Sequence, residues 1–488
     1  MKRSITLIIF SIYLFANSQS VVTWSTPVTV ATTSYGNLHP RVQTDASGSP
    51  LILWGQSNYV EYFSRLTGGN FTTPVRLNPM AIPVFTASWA GPDMAAKGDT
   101  IYTVFKHTPE DTNHIYVVRS FDGGMTFSIP VRVDYIADSI SRFPAIAIDD
   151  NGQPVVAFMK FDAGFMNARY VVCRSNNYGS SFTADVLASG MSGGKVCDCC
   201  PAEVVSSGNT VAMVYRANQS DIRDTWAGIS TNSGTSFTSG VEMDSTNWYI
   251  TSCPASGPDG VIIGDSIYTV FMSGASGQNR AYFNKASISS LQVGRYSRLT
   301  GNLSGLTDQN YPRIASWDTS AAAVWKQTIN GNDMISLLFT KNIHRGFGSR
   351  YDTIAIGGVV NADVAISRGK VHVVWEDDNA GTVMYMEGAF TVDTSSITTG
   401  INYPAIANAK MTVFPNPAGK SVHVELPASW NNEIVEVKVT DVLGKEIINF
   451  RNEYNSGLDI SLDNLNTGIY FVRVSHNAEQ LTTRLLKE

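Results

Sequence analysis

A short apolar strand that ends in an aromatic residue recurs seven times along the chain, and this repeat constrains the fold more than any other feature. The segment before each strand also recurs and usually contains a proline, as in HPRV at 39–42 and FPAI at 143–146. Repeats of about 50 residues with some four short strands each are typical of β-propellers. The sequence therefore predicts an all-β fold, a seven-bladed β-propeller over residues 19–392. The aromatic residues, 50 to 57 positions apart, are Trp54, Phe105, Phe158, Tyr215, Phe271, Trp325 and Trp375.

The beginning of the chain supplies a strand that the last repeat lacks. WSTPVTV from Trp24 matches the outer strands FTTPVRL at 71–77 and FSIPVRV at 127–133, whereas no such segment follows the third strand of repeat seven. We expect this amino-terminal strand to complete the last blade and to remove the exposed edge of an open sheet. Only 16% of the residues are charged, and 20 Tyr and 22 Phe add to the preference for strands.

A turn motif follows the third strand of several repeats. SFDGGMTF from Ser120 has the pattern Ser-x-Asp-x-Gly-x-x-aromatic, Ser175 and Ser230 begin copies with Asn for Asp, and Ser64 begins a degenerate copy. Asp or Asn can accept backbone N–H groups across such a turn, and Gly can take the left-handed conformation. The motif resembles the Asp-box, or BNR repeat, of sialidase-like propellers. These boxes are structural in that family, so the resemblance implies the fold and leaves the chemistry open.

Both ends of the chain carry features of an exported protein. Lys2 and Arg3 precede an apolar run from Ile5 to Phe15, which predicts a signal peptide at residues 1–18. No later stretch approaches the ~20 apolar residues of a membrane helix, so we expect no transmembrane segment in the mature chain. Residues 393–410 are rich in Thr, Ser and Asn and are predicted to be a linker.

The last 78 residues have a character of their own. They contain Pro415-Asn416-Pro417, Gly444-Lys445, Gly468-Ile469-Tyr470 and a basic Lys487. In order and spacing, residues 411–488 resemble the type A carboxy-terminal sorting domain of the Bacteroidetes type IX secretion system. The resemblance implies a small Ig-like β-sandwich that engages the secretion machinery, with the cargo released or held at the outer-membrane surface. An immunoglobulin-like sandwich used for binding shares the same alternation of apolar and polar residues.

Charge narrows the possible partners. A net charge of -6 argues against nucleic acid, because phosphate binding requires a basic surface. It leaves carbohydrate and protein partners open. The seven His residues offer little material for a His-based metal cluster, and we expect no cofactor.

Function must be argued from the site and not from the fold. In propellers of this kind, the loops that enter each innermost strand and those that leave the second strand meet at one mouth of the central channel. Basic residues at these positions predict an anionic glycan as partner, since Arg presents a rigid fork to a carboxylate or sulfate. Sialidases hold their substrate's carboxylate with three arginines. The residues expected to bind substrate are Arg41, Arg216, Arg313, Lys106 and Lys326.

The same resemblance implies acid groups in catalytic roles. Asp93 is the nearest match to an acid/base carboxylate, and Glu203 with Tyr311 matches a nucleophilic Tyr–Glu pair by position. HPRV departs from the Phe-Arg-Ile-Pro motif of sialidases. Three functions therefore stay open: an exo-glycosidase of the sialidase type, a glycan- or protein-binding surface propeller without catalysis, and a polysaccharide lyase.

Four of the five cysteines lie near the entries to repeats four and five. Cys200 precedes Pro201 as Cys253 precedes Pro254, so we expect Cys200 and Cys253 to occupy equivalent places and to form a disulfide in an oxidising compartment. Cys173 is predicted to lie within reach of Cys197 or Cys199. The alternative is a soft-metal site formed by Cys197, Cys199 and Cys200, although Cys-x-Cys-Cys matches no common zinc pattern.

Overall fold

The computed structural model describes residues 22–392 except 34, 35, 37 and 136–138, and residues 411–488 except 442–444, 477 and 478. The predicted signal peptide and linker lie outside the described residues. The chain divides into two compact units between Val392 and Asp393. Within the described residues, regular structure is almost entirely β.

The first unit is built from antiparallel sheets that follow one another along the chain, numbered here in chain order. Sheet 1 contains Arg41–Thr44, Pro50–Gln56, Val60–Thr67, Asn70–Phe71 and Val75–Arg76. Sheet 2 contains Asp93–Lys97, Thr100–Lys106, Ile115–Ser120 and Val131–Arg132. Sheet 3 contains Ser139–Ile148, Pro154–Asp162, Met166–Arg174 and Val186–Leu187. Sheet 4 contains Lys195–Val196, Glu203–Ser207, Thr210–Asn218, Thr225–Ser230 and Ser239–Glu242.

Three further sheets complete the described part of this unit. Sheet 5 contains Asp259–Ile263, Ser266–Ser273, Arg280–Ser287 and Ser297–Arg298. Sheet 6 contains Leu306–Trp317, Ser320–Ile329, Asn332–Thr340 and Asp352–Ile356. Sheet 7 contains Val359–Ser367, Lys370–Asp377, Thr382–Ala389, Thr23–Trp24 and Val28–Thr32. Short 3-10 helices lie at Gly190–Ser192 and Ile343–Arg345.

The sheets contact each other in a cyclic order. The innermost long strand of each sheet contacts that of the next one, and Val359–Ser367 of sheet 7 contacts Arg41–Thr44 of sheet 1. The amino-terminal strands pair with Thr382–Ala389, in the register Val28 with Tyr385, so the predicted completion of the last sheet by the start of the chain is confirmed.

The apolar second strands explain why the sheets stack. Pro50–Gln56 and Thr100–Lys106 are buried along nearly their whole length, because each sheet has a neighbour on both faces. One hydrophobic cluster joins Val104 of sheet 2 to Val156 and Val171 of sheet 3. Burying apolar surface stabilises a fold by roughly 25 cal/mol per Å². Adjacent sheets therefore stabilise each other by burying the apolar surface between them.

Three turns with the Ser-x-Asp/Asn-x-Gly sequence share one hydrogen-bond pattern. The first Ser hydroxyl accepts the N–H of the Gly four residues later, at 3.0 Å for Gly124, 2.8 Å for Gly179 and 2.9 Å for Gly234. All three glycines have positive φ. Oδ1 of Asp122 accepts the N–H of Thr126 at 3.0 Å. Ser64 departs from the pattern, because its hydroxyl donates to the carbonyl of Thr72.

The second unit contains two sheets over its described residues. A three-stranded sheet contains Thr412–Phe414, Ser421–Glu425 and Leu458–Ser461. A four-stranded sheet contains Glu446–Tyr454, Glu433–Asp441, Gly468–His476 and Glu479–Lys487. Apolar residues of both sheets, including Val424 and Val437, form one core around the buried Trp430, which lies in the 3-10 helix Ala428–Trp430. No helix within the described residues is long and apolar enough to cross a membrane.

Candidate functional site

All seven sheets of the first unit contribute residues to one open pocket. Sheets 1, 2, 4 and 5 contribute residues at or directly before the start of their innermost long strand, and sheets 3, 6 and 7 contribute residues at a bulge within it. The lining includes five residues that the sequence predicted at the mouth, Arg41, Asp93, Glu203, Tyr311 and Arg313, together with His39 and Trp89.

One register position in each sheet places a residue in the pocket lining or directly beside it. These seven residues, called the ring below, each pair with the residue directly before the aromatic of the second strand. The pairings, from Arg41 with Leu53 to Asp363 with Val374, place the residues at the same level of every sheet. The ring consists of Arg41, Asp93, Ala145, Glu203, Asp259, Arg313 and Asp363.

The chain enters the ring through a strained turn. Residues two before the ring position have positive φ in four sheets, with values of 44° at His39, 49° at Phe143, and 51° at both Tyr311 and Asn361. In sheets 3, 6 and 7 this turn is a β-bulge, which locally bends the strand and changes the direction of its side chains. Sheet 5 uses Gly257, where a Cβ would lie 2.3 Å from the carbonyl oxygen of Pro201. Left-handed non-glycine residues at a pocket are a feature of functional sites.

The ring aspartates connect neighbouring sheets through the backbone. Oδ2 of Asp93 accepts the N–H of Ile146 at 3.0 Å, Oδ2 of Asp259 that of Ile314 at 2.8 Å, and Oδ2 of Asp363 that of Val42 at 2.9 Å. Each of these N–H groups belongs to the residue that follows the next ring position. The three aspartates therefore connect adjacent sheets as well as giving the ring negative charge.

Arg313 lies among three carboxyl groups. Its Nη1 donates to Oε2 of Glu203 at 2.7 Å, while Nε lies 3.1 Å from Oδ1 of Asp363 and 3.4 Å from Oδ2 of Asp259. Burial disfavours the charged guanidinium, but Asp259, Asp363 and Glu203 outweigh it and raise the pKa of Arg313 well above its usual value. Arg313 is thus a fixed cation of the pocket.

Arg41 is held in a similar way. Its Nε lies 3.3 Å from Oδ1 of Asp93, Nη1 donates to the carbonyl of Pro40, and Nη2 lies 2.6 Å from Nε2 of His39. Burial, followed by the positive charges of Arg41 and Arg313, lowers the pKa of His39 well below its usual value. His39 is therefore a neutral imidazole at neutral pH.

Burial also alters the acidity of Glu203. Burial and the nearby Asp93 charge raise its pKa to about 8, against the opposite effect of Arg313. At neutral pH this carboxyl is largely protonated and can donate a proton. Raised carboxyl pKa values next to a second carboxylate are common at catalytic sites.

The predicted basic mouth is wrong. The ring holds four carboxyls and two guanidiniums, and both arginines already pair with ring carboxylates. Arg216, Lys106 and Lys326 do not line the pocket. Side chains of a strand project perpendicular to the sheet, so the position after the aromatic does not point along the axis.

The contacts of these three cations show where they point. Fully buried Arg216 donates to carbonyls of Ser256 at 3.3 Å, and of Arg223 and Met272 at 2.7 Å. Lys106 donates to Oγ of Ser141 at 3.0 Å and to the carbonyl of Asn113, and burial lowers its pKa to about 8. Arg216 and Lys106 therefore fill gaps between sheets. Lys326 pairs with Asp333 at 2.7 Å within sheet 6.

The predicted disulfide partner of Cys253 is also wrong. Cys253 is bonded to Cys199, with their Cα atoms 6.2 Å apart, and not to Cys200. The reason is the register of sheet 5, where Gly257-Pro258-Asp259 and not Cys253-Pro254 occupies the ring entry. Cys173 is buried in the core between sheets 2 and 3, and Cys197, Cys199 and Cys200 lie together.

Asp259 is a ring residue that the sequence analysis missed. The motif Gly257-Pro258-Asp259 repeats Gly91-Pro92-Asp93 of sheet 2, and this similarity is the signal that identifies it. Two prolines, Pro254 and Pro258, precede the first long strand of sheet 5. Aligning the repeat on Pro254 gives the wrong ring residue, whereas aligning it on Pro258 gives Asp259.

Comparisons with known proteins identify the carboxy-terminal unit and the fold of the first unit. Residues 412–488 match the family described as Secretion system C-terminal sorting domain. The chain is therefore exported by type IX secretion to the cell surface or to the medium. No curated protein is similar enough in sequence to match.

Several solved structures resemble the chain at low sequence identity. An ulvan lyase of polysaccharide lyase family PL25, bound to -[GlcA(1-4)Rha3S]-, is 12% identical with a TM-score of 0.52 over 74% of this chain and 96% of its own. An α-L-arabinanase of Penicillium chrysogenum with arabinobiose is 12% identical with a TM-score of 0.43 over 75% and 98%. A Dyadobacter fermentans protein of unknown function is 11% identical with a TM-score of 0.43 over 76% and 99%. At such low identity the likeness concerns the fold alone, and the lyase, with its TM-score above 0.5, is a β-propeller.

Proposed function

We propose that the first unit is a seven-bladed, sialidase-like β-propeller that binds the end of a glycan chain in the ring pocket and hydrolyses it. The cyclic contacts of the seven sheets and the shared turn geometry support the propeller and its Asp-boxes. The observation that carries the activity is the pair of carboxyls, Glu203 and Asp93, in one pocket formed by all the sheets.

The two carboxyls suit different steps of glycoside hydrolysis. Glu203, with a pKa of about 8, is protonated at neutral pH and donates its proton to the leaving oxygen. Asp93 lies beside Arg41 and accepts the N–H of Ile146, two contacts that stabilise a carboxylate. Asp93 then serves as the nucleophile or as the base for water. The half-buried Trp89 and Tyr311 supply apolar surface on which a sugar ring can stack.

The charge of the glycan differs from the expectation for a sialidase. The three arginines of the predicted carboxylate clamp are not together, because Arg216 donates to backbone carbonyls away from the pocket. An anionic sugar would compete with Asp93 for Arg41 and with three ring carboxyls for Arg313. We therefore favour a neutral glycan end over an anionic one.

The test is turnover of defined glycans by the purified, exported protein. Release of reducing sugar is measured over neutral, uronate, sulfated and sialylated oligosaccharides, and we expect hydrolysis of a neutral member. Glu203→Gln keeps an oxygen that can accept from Arg313 but removes the proton donor, so kcat/KM should fall by roughly 10²- to 10⁴-fold.

Glu61 provides the matched control. It is fully buried and its pKa is also about 8 because of burial, but it does not line the pocket. Glu61→Gln should leave kcat/KM within about twofold. Equal losses in both variants, or glycan binding without turnover by the parent protein, would contradict the hydrolase and favour the binding function.

A polysaccharide lyase is the second candidate, and one observation favours it. His39, neutral because of burial and the adjacent arginines, shares the pocket with Tyr311, so a base and a proton donor for β-elimination are both present. A lyase acting on uronate chains would release products with an ultraviolet-absorbing double bond. Both reactions form a new reducing end, but only elimination leaves an unsaturated sugar at the new non-reducing end, so this absorbance would select a lyase over a hydrolase.

Residues 411–488 supply the export signal in this proposal, as an Ig-like sandwich that is not needed for the fold of the first unit. Deletion of these residues should leave the glycan-binding unit folded inside the cell envelope. Fractionation of cells that express the truncated chain checks this. Normal display at the surface without the tail would contradict it.

A further inference from the structure

The entry to sheet 4 contains three cysteines, of which only one has an assigned partner. Cys199 is bonded to Cys253 at the entry to sheet 5, and Cys253 is exposed. Cys197 and Cys200 are fully buried. The segment between them forms a tight turn, in which the N–H of Cys200 donates to the carbonyl of Cys197 at 3.3 Å.

The two buried sulfurs are too close for an ordinary thiol pair. Sγ of Cys197 lies 2.6 Å from Sγ of Cys200, inside the contact distance of two unbonded sulfur atoms and much nearer the ~2.05 Å of an S–S bond. The same sulfur lies 3.6 Å from that of Cys199, which is already bonded. We propose that Cys197 and Cys200 form a second disulfide in the exported protein.

The surroundings favour thiol oxidation over a bound metal. Nη1 of Arg223 donates to Sγ of Cys197 at 3.2 Å, a position in which a guanidinium stabilises a thiolate and repels a metal cation. Because Cys199 is in a disulfide, a three-thiolate site would first require its reduction.

The oxidation follows ordinary thiol–disulfide exchange. During folding, the Cys197 thiolate attacks one sulfur of a disulfide-bearing oxidant, such as a periplasmic thiol oxidase, and the other oxidant sulfur leaves as a thiolate. Cys200 then gives up its proton to water, its sulfur attacks Sγ of Cys197, and the second oxidant sulfur leaves as a thiolate. The two cysteines have lost two protons and two electrons, and the oxidant is released as a dithiol.

The bond would constrain the entry to the ring. Cys200 lies three residues before Glu203, and its carbonyl accepts the hydroxyl of Tyr170 at 2.6 Å. Two disulfides within four residues would connect this segment both to itself and to the entry of sheet 5. The proposal does not depend on the reaction assigned to the pocket.

Mass spectrometry of the full, exported chain tests the proposal. The protein is unfolded in denaturant without reductant, alkylated with iodoacetamide and digested with trypsin, which separates peptide 196–216 from peptide 224–280. We expect the two peptides to be linked and unlabelled, with one label in the whole chain, on Cys173. The same linked pair with two labels on peptide 196–216 would overturn the second disulfide. Labelling that requires prior removal of a stoichiometric metal would overturn it as well.

Paired variants assign the connections. In C199S/C253S, peptide 196–216 should be two hydrogens lighter than its reduced form and unlabelled. In C197S/C200S, the link to peptide 224–280 should persist. If C199S/C253S instead carries two labels while circular dichroism shows a native spectrum, Cys197 and Cys200 are free thiols and the proposal fails.

Discussion

The ring and the gaps between sheets contain the same types of charged residue, glutamate and arginine. Those of the ring face a pocket, whereas those of the gaps are enclosed by protein. Glu203 and Glu61 are both buried carboxyls with pKa values near 8. Glu203 faces Arg313 in a pocket that reaches solvent, whereas neither carboxyl oxygen of Glu61 has a hydrogen-bond partner of good geometry among the described residues. Altered acidity therefore identifies a functional group only together with access to a ligand.

Arginines show the same contrast. Arg313 of the ring donates to side-chain carboxylates, and Arg216 of a gap donates to three backbone carbonyls and lies over Trp248 at 5.3 Å. A guanidinium saturated by carbonyls holds backbone segments in place. A guanidinium among carboxylates can exchange one of them for a ligand.

The largest expected effect on stability is that of Arg216→Ala. The substitution leaves three buried carbonyls without their donor, so the free energy of unfolding should fall by at least about 3 kcal/mol. Urea denaturation of the exported protein measures it. A loss below about 1 kcal/mol would mean that Arg216 does not stabilise the fold. The proposed difference between Arg216 and Arg313 would then be wrong.

Glu61→Gln should increase the stability of the protein, and it should do so only at neutral and alkaline pH. The folded-state pKa of Glu61 is raised by burial from 4.5 to about 8, so the folded state keeps its proton while the unfolded state loses it. Stability therefore falls as pH rises from about 4.5 to 8 and changes no further above this range. The variant should be at least about 1 kcal/mol more stable than the parent at pH 8 and show no gain at pH 4. A gain independent of pH would contradict this reading of Glu61.

Lys326→Ala should have the smallest effect. Its partner Asp333 lies across a hairpin of the same sheet, with both side chains partly exposed to solvent. Pairs of this kind contribute about 0–1 kcal/mol, and turnover should be unchanged since Lys326 lies outside the pocket. A marked loss of turnover at constant stability would instead return Lys326 to the site.

The repeat in the sequence predicted the sheets and most of the pocket, for a physical reason. Strand entry positions recur at one level of each sheet, so Arg41, Asp93, Glu203 and Arg313 could be assigned to one mouth before the structure was known. The side-chain direction of Arg216 could not be predicted. The repeat locates the end of the strand, but it does not show whether the Arg216 side chain points to the pocket or to the gap between sheets.

Asp259 and the disulfide partner of Cys253 were missed for one shared reason. Bulges and second prolines change the register at strand entries by a few residues, and Pro254 lies four positions before the proline that precedes Asp259. Because of this shift, Asp259 was not recognised as a ring residue. For the same reason, Cys200 and not Cys199 was predicted as the disulfide partner of Cys253. Local register at a bulge depends on packing between sheets, which a single repeat does not encode.

The location of a bound sugar tests the central claim most directly. A crystal of the inactive variant Glu203→Gln would be soaked with the oligosaccharide that the parent protein cleaves. The account predicts the terminal sugar in the ring pocket, against Trp89 and within hydrogen-bond distance of Asp93. A sugar bound elsewhere with this pocket empty, in a protein whose Glu61→Gln variant loses as much activity as Glu203→Gln, would contradict it.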